Sequence, residues 1–306
     1  MNPCIRAIVR TAIAHDLEAF GIRAGYEGLI SGTIVPLRVR DVGGIMQRGG
    51  TVLETARNEE FRTAKGQREA IRQLNEEGID GLIVIGGDGS LSGAHVLAEQ
   101  GVRVVGIPAS IDNDIYGTNM SIGVDTALNT ILMAIDRLRD TAASHHRAFI
   151  VETMGRNCGY LAVTAGIIGG AEVTLIPEVD QTIEEVAHAM EAAYRRGKNH
   201  CLVIVAEGAK PNAVTLKTGL DQMDVGFRSR VTILGHVQRG GSPSAFDRLL
   251  ATRMGVRAVE VLLEGESDVM VGLEGRELVL VPLEDAISKS REPDPEYFEI
   301  ASMLAK

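Results

Sequence analysis

Apolar residues along the chain recur in two rhythms. From the N-terminus, Ile5, Ile8, Val9, Ala12 and Ile13 follow the spacing of one helical face, with Asn2 placed as N-cap and Pro3 at the first helical position. Gly21, Gly25 and Gly28 interrupt the next segment, and a short strand pair is predicted around 29–39. A polar helix is predicted over 64–77. Beyond it, aliphatic runs alternate with amphipathic stretches: strands at 82–85, 102–107, 148–151, 173–176, 201–206 and 230–234, and helices at 92–99, 125–139, 160–168, 182–195 and 245–263. Two short strands, 269–273 and 278–281, precede a final helix after Pro293, Asp294 and Pro295. Near-continuous aliphatic strands alternating with helices imply buried parallel sheets with right-handed crossovers. The rhythm predicts two α/β domains of similar build, and no linker rich in Pro, Gly or Ser separates them, so a shared cleft is expected. Doubly wound sheets usually open on a strand, whereas this chain opens on a helix, so an opening strand is expected to be missing.

Two predicted strands end in polar clusters. Residues 82–85 run into Gly86, Gly87, Asp88, Gly89 and Ser90, and 102–107 run into Pro108, Ala109, Ser110, Ile111, Asp112, Asn113 and Asp114. Open parallel sheets bind ligands beyond the carboxyl ends of their strands, so two such endings side by side describe one site. The glycines permit a tight turn whose N–H groups face phosphate oxygens, backed by the following helix terminus. Asp88 suits Mg2+, which needs only one or two carboxylates beside substrate phosphates and water. An isolated Gly-Gly-Asp-Gly also reads as a capped turn, and kinases of lipids and dinucleotides carry a related string, so it does not fix a substrate. Asp112 and Asp114 flank an amide. One can take the proton of an acceptor hydroxyl, a contribution of ~10²- to 10⁴-fold, while the other orients or approaches a metal. A capped turn is the plain alternative.

Charge narrows the choice. The net charge of -10 argues against general nucleic-acid binding, and the absence of Trp with 4% aromatic residues argues against base-stacking platforms. An anionic ligand must then be held by local arginines, and Arg57, Arg147, Arg156, Arg230 and Arg239 all fall at predicted element ends or in glycine-rich turns. No apolar segment is long enough to cross a bilayer and no signal-peptide core opens the chain, so the expectation is a cytoplasmic protein. Cys4, Cys158 and Cys201 match no metal or disulfide spacing.

Taken together, Gly86 to Ser90, the PASIDND block from Pro108 to Asp114, MGRNCG from Met154 to Gly159, Glu207 in AEGA, and LGHVQRGGSP from Leu234 to Pro243 followed by Asp247 and Arg248 resemble the phosphofructokinases, in the family's order and over essentially the whole chain. The resemblance implies an α/β fold of two Rossmann-like doubly wound domains with mainly parallel sheets and the active site in the cleft between them. The larger, nucleotide-binding domain would span 1–123 with 236–286, and the smaller, sugar-phosphate-binding domain 124–235 with 287–306. The implied reaction is ATP-dependent phosphorylation of fructose 6-phosphate at the 1-hydroxyl. Asp112 would be the base, with Ser110 close to the reacting groups and Arg57 bridging toward the transferring phosphate. Gly86, Gly87, Asp88, Gly89, Ser90, Arg57 and Asn58 would hold ATP, and Asp88 would hold Mg2+. The sugar phosphate would contact Ser110, Asp112, Asp114, Met154, Gly155, Arg156, Glu207, His236 and Arg239, with Arg147 and Arg230 donated by a neighbouring subunit of a homo-oligomer, usually a tetramer. Neither nucleic acid nor membrane is an implied partner.

Two positions bear on the donor. Pyrophosphate-using relatives carry Asp at the place of Gly89 and Lys at the place of Ala109; a carboxylate there would crowd and repel an inner nucleotide phosphate, so Gly89 favours ATP. Pyrophosphate dependence and a catalytically weak sugar-phosphate-binding homologue are the alternatives. An effector site between subunits would draw on Arg6, Arg10, Arg139, Glu172, Arg196 and Lys198, although Val39 stands where the family has arginine. Family members open with a strand and a Gly-Gly-Asp-x-Pro-Gly loop, and this chain opens with residues resembling those just after it. The expectation is that Met1 is an internal methionine, testable by the mass of the protein made from its native locus.

Overall fold

The computed structural model describes residues 1–145, 147–291 and 295–304. In chain order the helices are α1 (Asn2–Ala14), α2 (Tyr26–Ser31), α3 (Ala64–Glu76), α4 (Asp88–Glu99), α5 (Val124–His145), α6 (Tyr160–Gly169), α7 (Ile183–Arg195), α8 (Ala213–Leu220), α9 (Ala245–Leu263), α10 (Leu283–Ser288) and α11 (Pro295–Leu304). The strands are β1 (Phe20–Ile22), β2 (Ile34–Pro36), β3 (Leu82–Gly86), β4 (Val104–Pro108), β5 (Arg147–Thr153), β6 (Val173–Leu175), β7 (Cys201–Ala206), β8 (Arg228–Ile233), β9 (Val269–Glu274) and β10 (Glu277–Pro282). Among the described residues no helix is long and apolar enough to cross a membrane.

The chain divides into two units. The first comprises Met1–Ser110, Ile115–Gly123 and Gly241–Arg291. Its main sheet runs β10-β9-β4-β3, with β3, β4 and β9 parallel and β10 folded back antiparallel on β9. The run Val104–Pro108 is enclosed throughout because β4 has strands on both sides and helices on both faces. One face packs on Leu29, Leu74, Leu91, Leu97 and Leu283, the other on Cys4, Leu250, Met254 and Val261, where α1 lies against α9. At the sheet's edge, Ile83, Val84 and Ile85 of β3 are half-buried.

The second unit holds Ile111–Asp114, Val124–Gly240 and the C-terminal helix. Its four strands run β6-β7-β5-β8, all parallel. All six residues of β7 are buried, as a central aliphatic strand requires. Polar residues set the helix starts: Thr182 and Glu185 form a reciprocal capping box on α7, and Asn212 accepts the Thr215 N–H at 2.9 Å on α8.

Four expectations change. Asn2 lies inside α1 rather than capping it; its buried amide donates to the carbonyl oxygens of Arg48 and Gly49 at 2.9 and 3.2 Å and accepts from Val52 N at 2.8 Å, pinning a distant loop. The expected strand pair at 29–39 is instead β1 with β2, antiparallel, enclosing α2 between Gly25 and a left-handed Gly32. Between the strands expected at 201–206 and 230–234, where no helix is predicted, the chain forms α8. Finally, α4 begins at Asp88 rather than near 92, so the glycine-rich string runs from the end of β3 at Gly86 into the first turn of a helix. Of the run expected to lead into the last helix, Pro293 and Asp294 lie outside the described residues.

Candidate active site

In the first unit, β3 and β4 pair in parallel with Gly86 opposite Pro108, and Ala109 N donates to Gly86 O at 2.8 Å. Their carboxyl ends therefore lie side by side, as the sequence pattern implies. None of Gly86, Gly87 and Gly89 has a positive φ, so their value is space rather than backbone freedom. A Cβ on Gly86 would come 2.5 Å from Ser90, and one on Gly87 would lie 3.7 Å from the Ser110 Cβ. Nothing lies within 4 Å of a Cβ on Gly89, so this turn is open. Asp88 and Gly89 are exposed at the start of a twelve-residue helix, where their amides have no intrahelical acceptor, while Ser90 N already donates to Gly87 O at 2.9 Å. The arrangement offers N–H donors and the positive end of the helix dipole to an anion.

Two aromatics missed by pattern reading steady this turn. The Tyr26 hydroxyl donates to Ser90 O at 2.6 Å, and its ring stacks on Phe61 with centroids 3.9 Å apart. Asn58 in turn accepts Phe61 N at 2.8 Å. Asn58 is thereby linked, ring upon ring, to the first turn of α4. Arg57 beside it is exposed on an irregular segment, and among the described residues no hydrogen bond or ion pair ties its side chain to the turn. In a chain so poor in aromatics, a stacked pair was the available signal.

The second unit gathers the acceptor-side candidates at the carboxyl ends of β5 and β7. Asp112 is 2% exposed, and Arg156 Nε lies 3.1 Å from its Oδ2. Burial, then the charge of Asp114, push the Asp112 carboxyl above its ordinary range; Arg156 and Arg239 pull it down, and Glu207 pushes it up. The turn after β5 brings Met154, Gly155 and Arg156 to Glu207, which follows β7. Glu207 Oε1 accepts the Arg156 N–H at 2.7 Å and that of Gly155 at 3.3 Å. The fit is close: Gly155 has φ +139, and a Cβ on Gly208 would come 2.1 Å from Arg156 O. Asn113 and Arg156 both take left-handed backbone, at φ 54 and 51, and such a conformation costs an Arg on the order of 1 kcal/mol.

Beyond β8, a 3₁₀ turn over Gly235–Arg239 leaves His236 and Arg239 exposed and buries Gln238, whose Oε1 accepts Met154 N at 3.2 Å. Gln238 had no role in the sequence reading; its place between His236 and Arg239 was the only hint. Arg147 and Arg230 are not brought to Asp112 by their own unit's sheet. Arg147 opens β5, ~20 Å from Thr153 at ~3.3 Å per residue, and Arg230 pairs with Phe149, well short of the strand's end. Of the residues expected around an effector, Arg139 donates to the carbonyl oxygens of Gly169 and Gly170 at the end of α6, and Glu172 pairs with Lys198 at 2.7 Å.

Among the described residues no three His, Cys, Asp or Glu side chains converge to hold a metal ion by themselves. The exposed carboxylate of Asp88 beside an open helix start nonetheless fits Mg2+ held mainly by substrate phosphates and water.

Two α/β units with parallel sheets, whose loops at the carboxyl ends of the strands carry the polar residues, define the class. Residues 1–262 match the phosphofructokinase family. The chain is 51% identical over 305 residues to the ATP-dependent 6-phosphofructokinase of Natranaerobius thermophilus and 52% over 306 residues to that of Thermotoga neapolitana, covering all of this chain and 95% of each relative. Among solved structures, the phosphofructokinase of Saccharomyces cerevisiae superposes with a TM-score of 0.88 at 36% identity over 99% of this chain, which spans 45% of the yeast chain. A pyrophosphate-dependent phosphofructokinase from Marinobacter aquaeolei shares the fold, with a TM-score of 0.85 at 18% identity over 99% of this chain and 87% of its own. The chain belongs to the phosphofructokinase family.

Proposed function

We propose that the protein transfers the terminal phosphoryl group of ATP to the 1-hydroxyl of fructose 6-phosphate, giving fructose 1,6-bisphosphate and ADP. The observation that carries this reading is the buried Asp112 carboxylate, paired with Arg156 at 3.1 Å and placed two residues after Ser110 in the segment that follows the strand paired with β3. Asp112 accepts the 1-hydroxyl proton as that oxygen attacks the terminal phosphorus, and ADP leaves with the electrons of the broken bond. Burial that raises its affinity for a proton makes it a better base than a solvated carboxylate, and Arg156 opposes part of that shift. Asp114 orients the acceptor. Met154, Gly155, Arg156, Glu207, His236 and Arg239 hold the sugar phosphate, with Arg147 and Arg230 supplied by a neighbouring subunit of a homotetramer.

On the donor side, the first turn of α4 presents N–H groups to the ATP phosphates, and Arg57 stabilises charge on the transferring group. Asp88 would hold Mg2+, which supplies charge neutralisation across the terminal phosphates when bound. The open space at Gly89 and the relatives named ATP-dependent favour ATP over pyrophosphate. The proposed setting is glycolysis in the cytoplasm.

The test is bisphosphate formation by the purified protein with ATP and, separately, with pyrophosphate. Turnover with ATP and little with pyrophosphate is expected. Turnover with pyrophosphate alone would reverse the donor assignment, and none with either would leave a sugar-phosphate-binding homologue.

A further inference from the structure

Asp247 is a buried carboxylate, 1% exposed, that is not among the residues assigned to either substrate above. It sits in the first turn of α9, whose N-cap is Ser244: the Ser244 hydroxyl accepts Asp247 N at 3.1 Å. The carboxylate points elsewhere, and its Oδ1 accepts the N–H of Gly123 at 2.8 Å. Gly123, with φ +109, is the residue immediately before α5.

The position of Gly123 in the chain gives this bond its meaning. Between Pro108 and Gly123 the backbone leaves β4, passes through Ser110, Asp112 and Asp114, and returns. The excursion has a closed neck: Ala109 N donates to Gly86 O at 2.8 Å, and Ile122 N donates to Pro108 O at 3.0 Å. Its return limb is tied to β9, where Asn119 N donates to Leu273 O at 2.7 Å and Leu273 N donates to Thr118 Oγ1 at 3.1 Å. The last residue of the limb is the one Asp247 grips. A buried carboxylate is costly unless donors and favourable dipoles compensate it, which the Gly123 amide and the first turn of α9 do. Capping alone needs no such group, since Ser244 already caps the helix.

We infer that Asp247 is a positioning residue that fixes the neck of the 109–123 excursion and through it the setting of Asp112, a role that rests on the phosphoryl-transfer reading. A displacement of Gly123 passes through the Ile122–Pro108 bond to the start of the segment that carries the base. Misplacing a reacting group by about 1 Å can cost ~10²-fold in rate.

The experiment compares D247A, which removes the acceptor, with D247N, which keeps an acceptor oxygen. For each, kcat, both KM values and amide exchange across 109–123 are measured on the full chain. D247A should lower kcat at least ~10-fold with KM for ATP within about twofold, and speed exchange at 120–123; D247N should restore kcat to within about threefold and protect the same amides. Should D247A fail to fold, D247S, whose shorter side chain cannot reach the Gly123 amide, carries the same readings. A kcat for folded D247A within about twofold of the parent, equal behaviour of the Ala and Asn variants, or unchanged exchange would overturn the inference, as would failure of both D247A and D247S to fold. If the parent itself shows no turnover, the phosphoryl-transfer reading fails and exchange alone decides whether Asp247 holds the neck.

Discussion

Asp112 combines burial with a charged environment that opposes itself. Burial and Asp114 raise its proton affinity, while Arg156 and Arg239 lower it. A base must be ionised to act, so the acidic limb of the kcat/KM profile, which reports the free enzyme, should lie above the ordinary carboxylate value of ~4. Asp114→Asn removes a charge that raises the Asp112 pKa and should move the limb to lower pH. Arg156→Gln removes one that lowers it and should move the limb to higher pH. Measured pH–rate profiles check both signs, and coincident limbs in the three proteins would remove Asp112 from the titration. Stability follows with the opposite demand. A carboxyl whose folded pKa exceeds its unfolded value costs stability once ionised, and that cost fades as pH falls from the folded toward the unfolded pKa. Asp112→Asn should therefore be at least as stable as the parent at pH 7, with an advantage that shrinks across that window in denaturant titrations at several pH values.

At the scale of elements, the proposed donor side depends on where α4 begins. Tyr26 fixes that turn through Ser90 O, so Tyr26→Phe, which keeps the Phe61 stack, should cost about 0.5–1.5 kcal/mol in a denaturation midpoint series and raise KM for ATP more than it lowers kcat. An unchanged KM for ATP would confine Tyr26 to structural support. The aliphatic runs were legible because buried parallel strands need side chains apolar on both faces: 82–85, 201–206 and their neighbours became β3, β7 and the central strands. Helix starts with a side-chain cap, at Thr182 and Ser244, were equally readable. Apart from α8, a short helix that starts on the local Asn212 cap, what escaped was set by distance. The start of α4 is an uncapped helix entered through glycine, α2 is six residues held between two glycines, and Asn2 looks like a cap but is spent on a loop 46 to 50 residues away. Of the candidate site, the motif strings stand out in the sequence, whereas Tyr26, Phe61 and Gln238 act through contacts that spacing does not encode.

At the scale of the whole molecule, a chain with a net charge of -10 holds its proposed anionic ligands with local arginines. Arg156 serves the Asp112 of its own unit, while Arg147 and Arg230 lie back along β5 and β8. If a neighbouring subunit receives those two, dilution that dissociates the proposed oligomer should raise KM for fructose 6-phosphate, followed by kinetics alongside sedimentation; a KM indifferent to dissociation would return both residues to the surface. The central claim is that this chain moves phosphate from ATP to a sugar hydroxyl with Asp112 as base. Its most direct measurement is the rate of fructose 1,6-bisphosphate formation at saturating ATP and fructose 6-phosphate for the parent and for Asp112→Ser. Turnover by the parent, and a loss of at least ~10²-fold in the variant with little change in sugar affinity, is the predicted result. No turnover by the parent, or near-normal turnover by the variant, would contradict it.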